Sequence, residues 1–137
     1  MKGAKLVFVF MFLIVLSLFV SATSHSLGDV EILSINPTGF DGNQGDTFHG
    51  SFDVHNKGTT SRTITLVTDP SPTIFGVSFS SNNFVLNAGQ TKSITYDVVT
   101  DASDHLGDNP FDIYASDSTD TSHQDYFTIN VKLSLSA

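Results

Sequence analysis

The stretch FDGNQGDTF, residues 40–48, holds the oxygen donors best placed to bind a metal ion. They are Asp41, Asn43 and Asp46, and carboxylate and amide oxygens are the ligands that Ca²⁺ prefers. A calcium loop of the EF-hand type also needs Gly at its sixth position and a bidentate Glu at its twelfth. Counted from Asp41, these positions hold Asp46 and Phe52. The pattern therefore favours a turn over a calcium site.

The same residues are typical of a tight connection between strands. Gly42, Asn43 and Gly45 tolerate positive φ, and Asp41 and Asp46 are expected to cap the turn before the next strand.

A second acidic loop contains Asp101, Asp104 and Asp108, followed by Asn109. If both loops lay at one end of the fold, their oxygens could surround a cation together, although no spacing rule requires this. Solvated turns are the favoured reading of both loops. The weak calcium candidates are Asp41, Asn43, Asp46, Asp101, Asp104 and Asp108.

Other chemistry is weakly indicated. His49, Asp53 and His55 alternate along one stretch, so they share a strand face, but a transition metal would need a ligand from another strand. An exposed polar face explains them better. The chain has no Cys, and nothing in it resembles a strand-to-helix nucleophile elbow. We expect no catalytic residue and no cofactor.

The elements that would position these residues are strands. Apolar and polar residues alternate with period two about every ten residues, which predicts about seven strands. Inward positions hold Phe, Ile, Val and Leu, and Pro110 is expected to open the penultimate strand. The predicted segments are 30–35, 47–55, 61–68, 74–79, 84–86, 91–99, 111–116 and 125–133. This pattern is typical of an all-β antiparallel sandwich of two sheets.

The final two strands can be placed in register. If loop 116–124 is symmetric, Ile113 faces Phe127 and Phe111 faces Ile129, so both inward sets meet on one face. Tyr114 and Tyr126 then lie opposite each other on the outward face. Such a pair either stabilises the hairpin or forms contact surface for a protein or sugar, so Tyr114 and Tyr126 are the binding-patch candidates.

The N-terminal residues predict export. Lys2 and Lys5 precede the apolar stretch 6–20, and small residues follow near Ala22, so 1–22 resembles a signal peptide with cleavage after Ala22 or Ser24. Two alternatives remain: an uncleaved membrane anchor at 6–22, or a prepilin-type signal cut after Gly3. The domain itself is predicted to span 27–137, secreted or held at the cell surface.

The net charge limits the classes of partner that we expect. Loss of Lys2 and Lys5 with a signal peptide would leave four basic residues against 14 acidic ones, a net charge of −10. Such a surface cannot neutralise phosphates, which argues against nucleic acid. Contact with a membrane is expected only through the N-terminal segment. The expected partner is a cell-envelope or surface protein, or a second copy of the chain.

Two stretches resemble a known family. GDTFHGSFDVHNKGTTSRTITLVTD, residues 45–69, and FVLNAGQTKSITYDVVTDASDHLGDNPFDIYAS, residues 84–116, are similar to the Ig-like domain associated with alpha-galactosidases (NPCBM-associated) and repeated in archaeal and bacterial surface proteins. In that family the domain sits beside a catalytic or anchoring domain, whereas here it is expected to stand alone. The resemblance implies a structural, adhesive or interaction role. The alternatives are a carbohydrate-binding accessory module and a filament subunit that exchanges the strand 27–35.

Overall fold

Alternating inward and outward residues build two sheets in the computed structural model, which describes residues 26–70 and 75–135. The strands are β1 (Val30–Asn36), β2 (Gly39–Asn43), β3 (Thr47–Asn56), β4 (Arg62–Asp69), β5 (Gly76–Phe79), β6 (Asn83–Leu86), β7 (Thr91–Val99), β8 (Gly107–Asp117) and β9 (Gln124–Ser134). One sheet has the order β1-β3-β7-β5 and the other β2-β9-β8-β4-β6. The paired strands are antiparallel except β2 and β9, which are parallel.

The core lies between the sheets, where the alternation predicted it. Phe52 and Val54 of β3, Ile94 and Tyr96 of β7 and Ile113 of β8 are all buried. The inward residues predicted for the last strand are buried as well: Phe127, Ile129, Val131 and Leu133. The all-β sandwich prediction is therefore confirmed.

The predicted register of the last hairpin is also confirmed. Ile113 lies opposite Phe127, and Phe111 lies opposite Ile129. This register requires the inward residues of β8 and those of β9 to lie on the same face. A slip of one residue would turn every inward side chain of one strand outward.

Two strand predictions were wrong. The glycine-rich stretch 40–48, predicted as a turn, belongs in part to β2. β2 pairs with β9, and the pairing begins with Gly39 opposite Asn130. Pro110 does not open a strand, since β8 begins at Gly107. β4 ends opposite Asp112, so Pro110 lies where β8 has a paired neighbour on one side only, and there a missing N–H is tolerated.

The chain changes sheets between β1 and β2, and a buried carboxylate joins the sheets there. Asp125 of β9 is fully buried, and its Oδ2 accepts a 2.7 Å hydrogen bond from the backbone N–H of Ile32 in β1. Ser34, with φ of 55°, lies at the register shift in β1 before the crossing.

The predicted signal or anchor, 1–22, lies outside the described residues, as does Ile74 at the start of the fourth predicted strand. Within 26–70 and 75–135 there is no helix of the length and apolar character needed to cross a bilayer.

Gly50 lies opposite Tyr96 in the β3–β7 ladder, beneath its ring. A Cβ at Gly50 would come 2.6 Å from the Tyr96 Cε1 and Oη atoms. The ring is buried and cannot move aside, so Gly50→Ala should lower the free energy of unfolding by about 1–3 kcal/mol in denaturant titrations. Gly76→Ala is the control, since nothing lies within 4 Å of its Cβ position. Equal stability of the two variants would contradict this packing.

The Tyr96 hydroxyl is buried, and no described residue hydrogen-bonds to it. Burial also raises the pKa of this hydroxyl, because the phenolate would be poorly solvated. Tyr96→Phe keeps the ring over Gly50 and removes the unsatisfied group, so we expect the free energy of unfolding to rise by about 1 kcal/mol. A loss of stability on thermal or urea unfolding would show that the hydroxyl has a partner.

Candidate interaction surface

The outward face of the five-stranded sheet carries a row of two tyrosines and a valine. Tyr114 of β8 and Tyr126 of β9 are opposite each other, as predicted, and their rings stack with centroids 4.8 Å apart and planes 23° apart. Val67 of β4 is opposite Tyr114 on the other side, and it is 49% exposed. The row therefore crosses three neighbouring strands.

Carboxylates lie at one rim of this row. Asp112 is opposite Asp69 in the β4–β8 ladder, one outward position from Tyr114 and Val67. The Thr128 hydroxyl donates a 2.6 Å hydrogen bond to Asp112. We name the set Val67, Asp69, Asp112, Tyr114 and Tyr126 the tyrosine face.

The tyrosine face carries negative charge, because Asp69 and Asp112 lie in it. Burial makes the largest contribution to raising the pKa of the Tyr114 hydroxyl. The negative charge of Asp112 raises this pKa further, followed by smaller contributions from Tyr126 and then Asp69. Each of these disfavours a phenolate, so Tyr114 stays neutral and keeps a hydroxyl proton to donate.

On the outward face of the other sheet, polar side chains bond across neighbouring strands. His49 contacts Asp97 at 2.6 Å, Ser93 donates to Asp53, and His55 contacts Thr91 at 2.9 Å. All three contacts join β3 to β7. The residues weighed above as metal ligands, His49, Asp53 and His55, thus each pair with a separate residue of β7.

The two acidic loops do lie at the same end of the sandwich. The Gln44 side chain donates to the Asp104 carbonyl, and the Gly45 N–H donates to the Thr100 hydroxyl. Thr100 in turn donates from its N–H to the carbonyl of Asp46 at 3.1 Å.

The candidate calcium ligands nevertheless bond to their own loops and neighbours. Asp46 accepts from the N–H of Asn43 at 2.7 Å, Asp101 accepts from Ser103, and Asp104 accepts from the N–H of Asp101 at 2.6 Å. The bonds from Ser103 lower the pKa of Asp101. In the described part of the chain, no group of three or more His, Cys, Asp or Glu side chains could hold a metal ion.

Some details of the predicted first turn were wrong. Of its three residues expected to adopt positive φ, only Gly45 does so, at 87°. Gly42 and Asn43 are part of β2 instead. Asp46 caps the turn as expected, whereas Asp41 lies in β2 opposite Lys132.

Sequence reasoning missed a buried ion cluster at the opposite end of the fold. Arg62, the only arginine of the chain, contacts Asp117 at 2.8 Å and Asp29 at 2.6 Å. The Asp117 side chain is 4% exposed. A signal existed, because Arg62 shares the inward face of β4 with Ile64 and Leu66, where a charge requires a partner.

Neither a protein-family model nor a curated protein matches the chain. Solved structures share its fold. The ASH/PapD-like domain 7 of human CEP192 aligns at a TM-score of 0.57 and 14% identity, over 81% of this chain and 89% of that one. A FixG-related protein from Vibrio parahaemolyticus aligns at 0.59 and 10% identity, over 80% and 100%. A chaperone–tip adhesin complex of CFA/I fimbriae aligns at 0.51 and 16% identity, over 78% and 57%.

At these identities the likeness shows the fold alone. The chain thus has an immunoglobulin-like sandwich fold, and a PapD-like domain and chaperones are among the structures similar to it. None of these findings confirms the narrower resemblance to the alpha-galactosidase-associated domain.

Acid should destabilise the protein through the ion cluster. Burial by itself would raise the pKa of Asp117, but hydrogen bonds from Thr119 and Arg62 outweigh it and leave the pKa below its usual range. A depressed pKa in the folded state stabilises the fold above the unfolded-state value, about 3.9 for Asp, and this contribution is lost as the pH falls through the folded-state value.

Asp117→Asn should therefore reduce the free energy of unfolding at pH 7, by about 2 kcal/mol or more because Arg62 loses a partner. Its stability should also fall less between pH 5 and pH 3 than that of the wild type. Urea titrations across this range provide the measurement, and Asp41→Asn, at an exposed carboxylate of β2, is the control. An unchanged pH dependence in Asp117→Asn would contradict this role.

Proposed function

We propose that this chain is a non-catalytic module, exported to the cell surface or medium, that acts by binding another protein through the tyrosine face. The observation that carries the proposal is the stacked pair of Tyr114 and Tyr126 on an outward sheet face. Tyrosines offer large, rigid contact area at low cost in conformational entropy, and their hydroxyls can hydrogen-bond to a partner.

The stacked tyrosines distinguish the two outward faces and support this choice of surface. On the four-stranded sheet, the contacts of His49, Asp53 and His55 with β7 already engage polar groups that a partner would otherwise use. Exposed apolar residues occur on both faces, Leu33 and Val99 on the four-stranded sheet and Val67 on the five-stranded sheet, but Val67 lies beside the partly buried tyrosines, where its surface adds to theirs. Burial of such surface is the main favourable term in protein association.

The structures that share the fold support a role in binding other proteins. One of them is a chaperone–tip adhesin complex, and another is the CupB2 chaperone from Pseudomonas aeruginosa, at a TM-score of 0.51 and 7% identity. Their names describe binding to other proteins or chaperoning. We extend only that general role to this chain, with a cell-envelope or surface protein as the expected partner.

Export belongs to the proposal through residues 1–22, whose basic start, apolar stretch and small residues favour a cleaved signal. If the stretch 6–22 is kept, the same module would be anchored to a membrane with the sandwich outside. The resemblance to the alpha-galactosidase-associated domain is part of the same proposal, as a structural or adhesive accessory role.

Two other functions compete with this proposal. A carbohydrate-binding module relies on flat exposed aromatics, and the chain has no Trp. A self-assembling subunit would exchange the terminal strand 27–35. That strand is at a sheet edge, but Asp125 and the bridge from Leu27 to Gln124 hold it.

The test compares the wild type with the double variant Tyr114→Ser/Tyr126→Ser. Each protein is cross-linked in envelope extracts of its host, and the captured proteins are quantified. We expect a specific set captured by the wild type to fall at least about tenfold in the variant, the loss typical of a hot-spot aromatic. The control, His49→Ser on the other sheet, should capture the set unchanged.

Other outcomes contradict the proposal in recognisable ways. Equal capture by the wild type and the double variant would exclude the tyrosine face. Binding of the wild type to a glycan array, lost in the double variant, would indicate a carbohydrate module. Concentration-dependent oligomers in light scattering would indicate self-assembly.

A further inference from the structure

The tyrosine face contains an unfavourable pair of charges. Asp69 and Asp112 are directly opposite each other in the β4–β8 ladder. Like charges in this position destabilise a sheet, because the two side chains project from the same face a few ångströms apart. A bound cation would remove this repulsion.

No basic residue of the described chain neutralises the pair. The ion pairs there involve Arg62, His49 and His123, and none includes Asp69 or Asp112. Lys132, on the same face, lies between Asp41 and Asp108 in the strand register. It is four residues along β9 from Thr128, or about 13 Å at the rise of a strand.

The tyrosines add a second attraction for a cation. Asp112 and Asp69 lie one outward position along β8 and β4 from Tyr114 and Val67, so the two carboxylates and the ring project from adjoining positions of one sheet face. Aromatic rings attract cations through their electron-rich faces. A planar guanidinium combines both contacts, since it stacks on rings and donates paired hydrogen bonds to carboxylates.

We propose that the tyrosine face binds an arginine-bearing segment of a partner protein, with the guanidinium held by Asp69 and Asp112 beside Tyr114 and the apolar part of the segment on Val67 and Tyr126. This inference rests on the proposed function and gives the chemistry of the partner. The net charge of −10 expected after signal cleavage would steer such a segment to the domain.

The probes are three short blocked peptides that differ only at two positions, which hold arginine, lysine or the neutral arginine analogue citrulline. Their binding to the protein as its host produces it is measured by calorimetry at 0.15 M salt and by NMR shifts of the Tyr114 and Tyr126 rings. We expect the arginine peptide to bind most tightly, the lysine peptide more weakly and the citrulline peptide not measurably.

The variant Asp69→Asn/Asp112→Asn should weaken binding of the arginine peptide at least about tenfold, as expected when charge-assisted hydrogen bonds are lost. The control, Asp53→Asn/Asp97→Asn, removes the same charge from the outward face of the other sheet and should change binding less than about twofold. The test variant should remain folded, because removing the repulsion between Asp69 and Asp112 favours the sheet.

Equal weakening in both double variants would overturn the proposal, since it would mean general attraction to an acidic protein. Equal binding of the arginine and citrulline peptides would also overturn it. If the arginine peptide fails to bind while partner capture still depends on Tyr114 and Tyr126, the partner's chemistry is wrong and the proposed function stands. If capture is also independent of the tyrosines, both proposals fail.

Discussion

The apolar core between the two sheets must be covered at both ends of the sandwich, and the rest of the structure depends on how this is done. Inward positions are apolar along the middle of each strand, but the series ends in buried polar side chains, with Asn56 on β3, Asp117 on β8 and Asp125 on β9. Asn56 donates to three carbonyls in neighbouring turns, those of Thr60, Leu86 and Asn87. Such bonds compensate for backbone groups that lose water at the ends of the core.

The same solution occurs at the other end. Asn109 of β8 donates to the carbonyls of His105, Gly107 and Val131, and it is 7% exposed. Since the chain has no Cys, these polar networks and apolar burial hold the ends of the sandwich without disulfides. The acidic loops are part of this arrangement, which explains why their carboxylates contact their own backbone.

With both ends occupied by structural bonds, the sheet faces are the surfaces left for function. On one face, polar side chains of β3 and β7 contact each other, and the other face presents stacked tyrosines next to two opposed carboxylates. The opposed charges cost stability in the isolated domain, and a local cost of this kind is typical of a surface shaped by a partner. The fold itself does not select this function, since it is shared by unrelated proteins.

The sequence by itself determined the sandwich, most inward residues and the pairing of Tyr114 with Tyr126, because period-two alternation and a symmetric loop are local properties of the chain. Tertiary structure alone decided which strands became neighbours, and therefore that Asp69 lies opposite Asp112 and that Arg62 meets Asp29 and Asp117. It also made Gly39–Asn43 a strand. This glycine-rich segment has a low intrinsic strand propensity, and pairing with β9 supplies the hydrogen bonds that keep it extended.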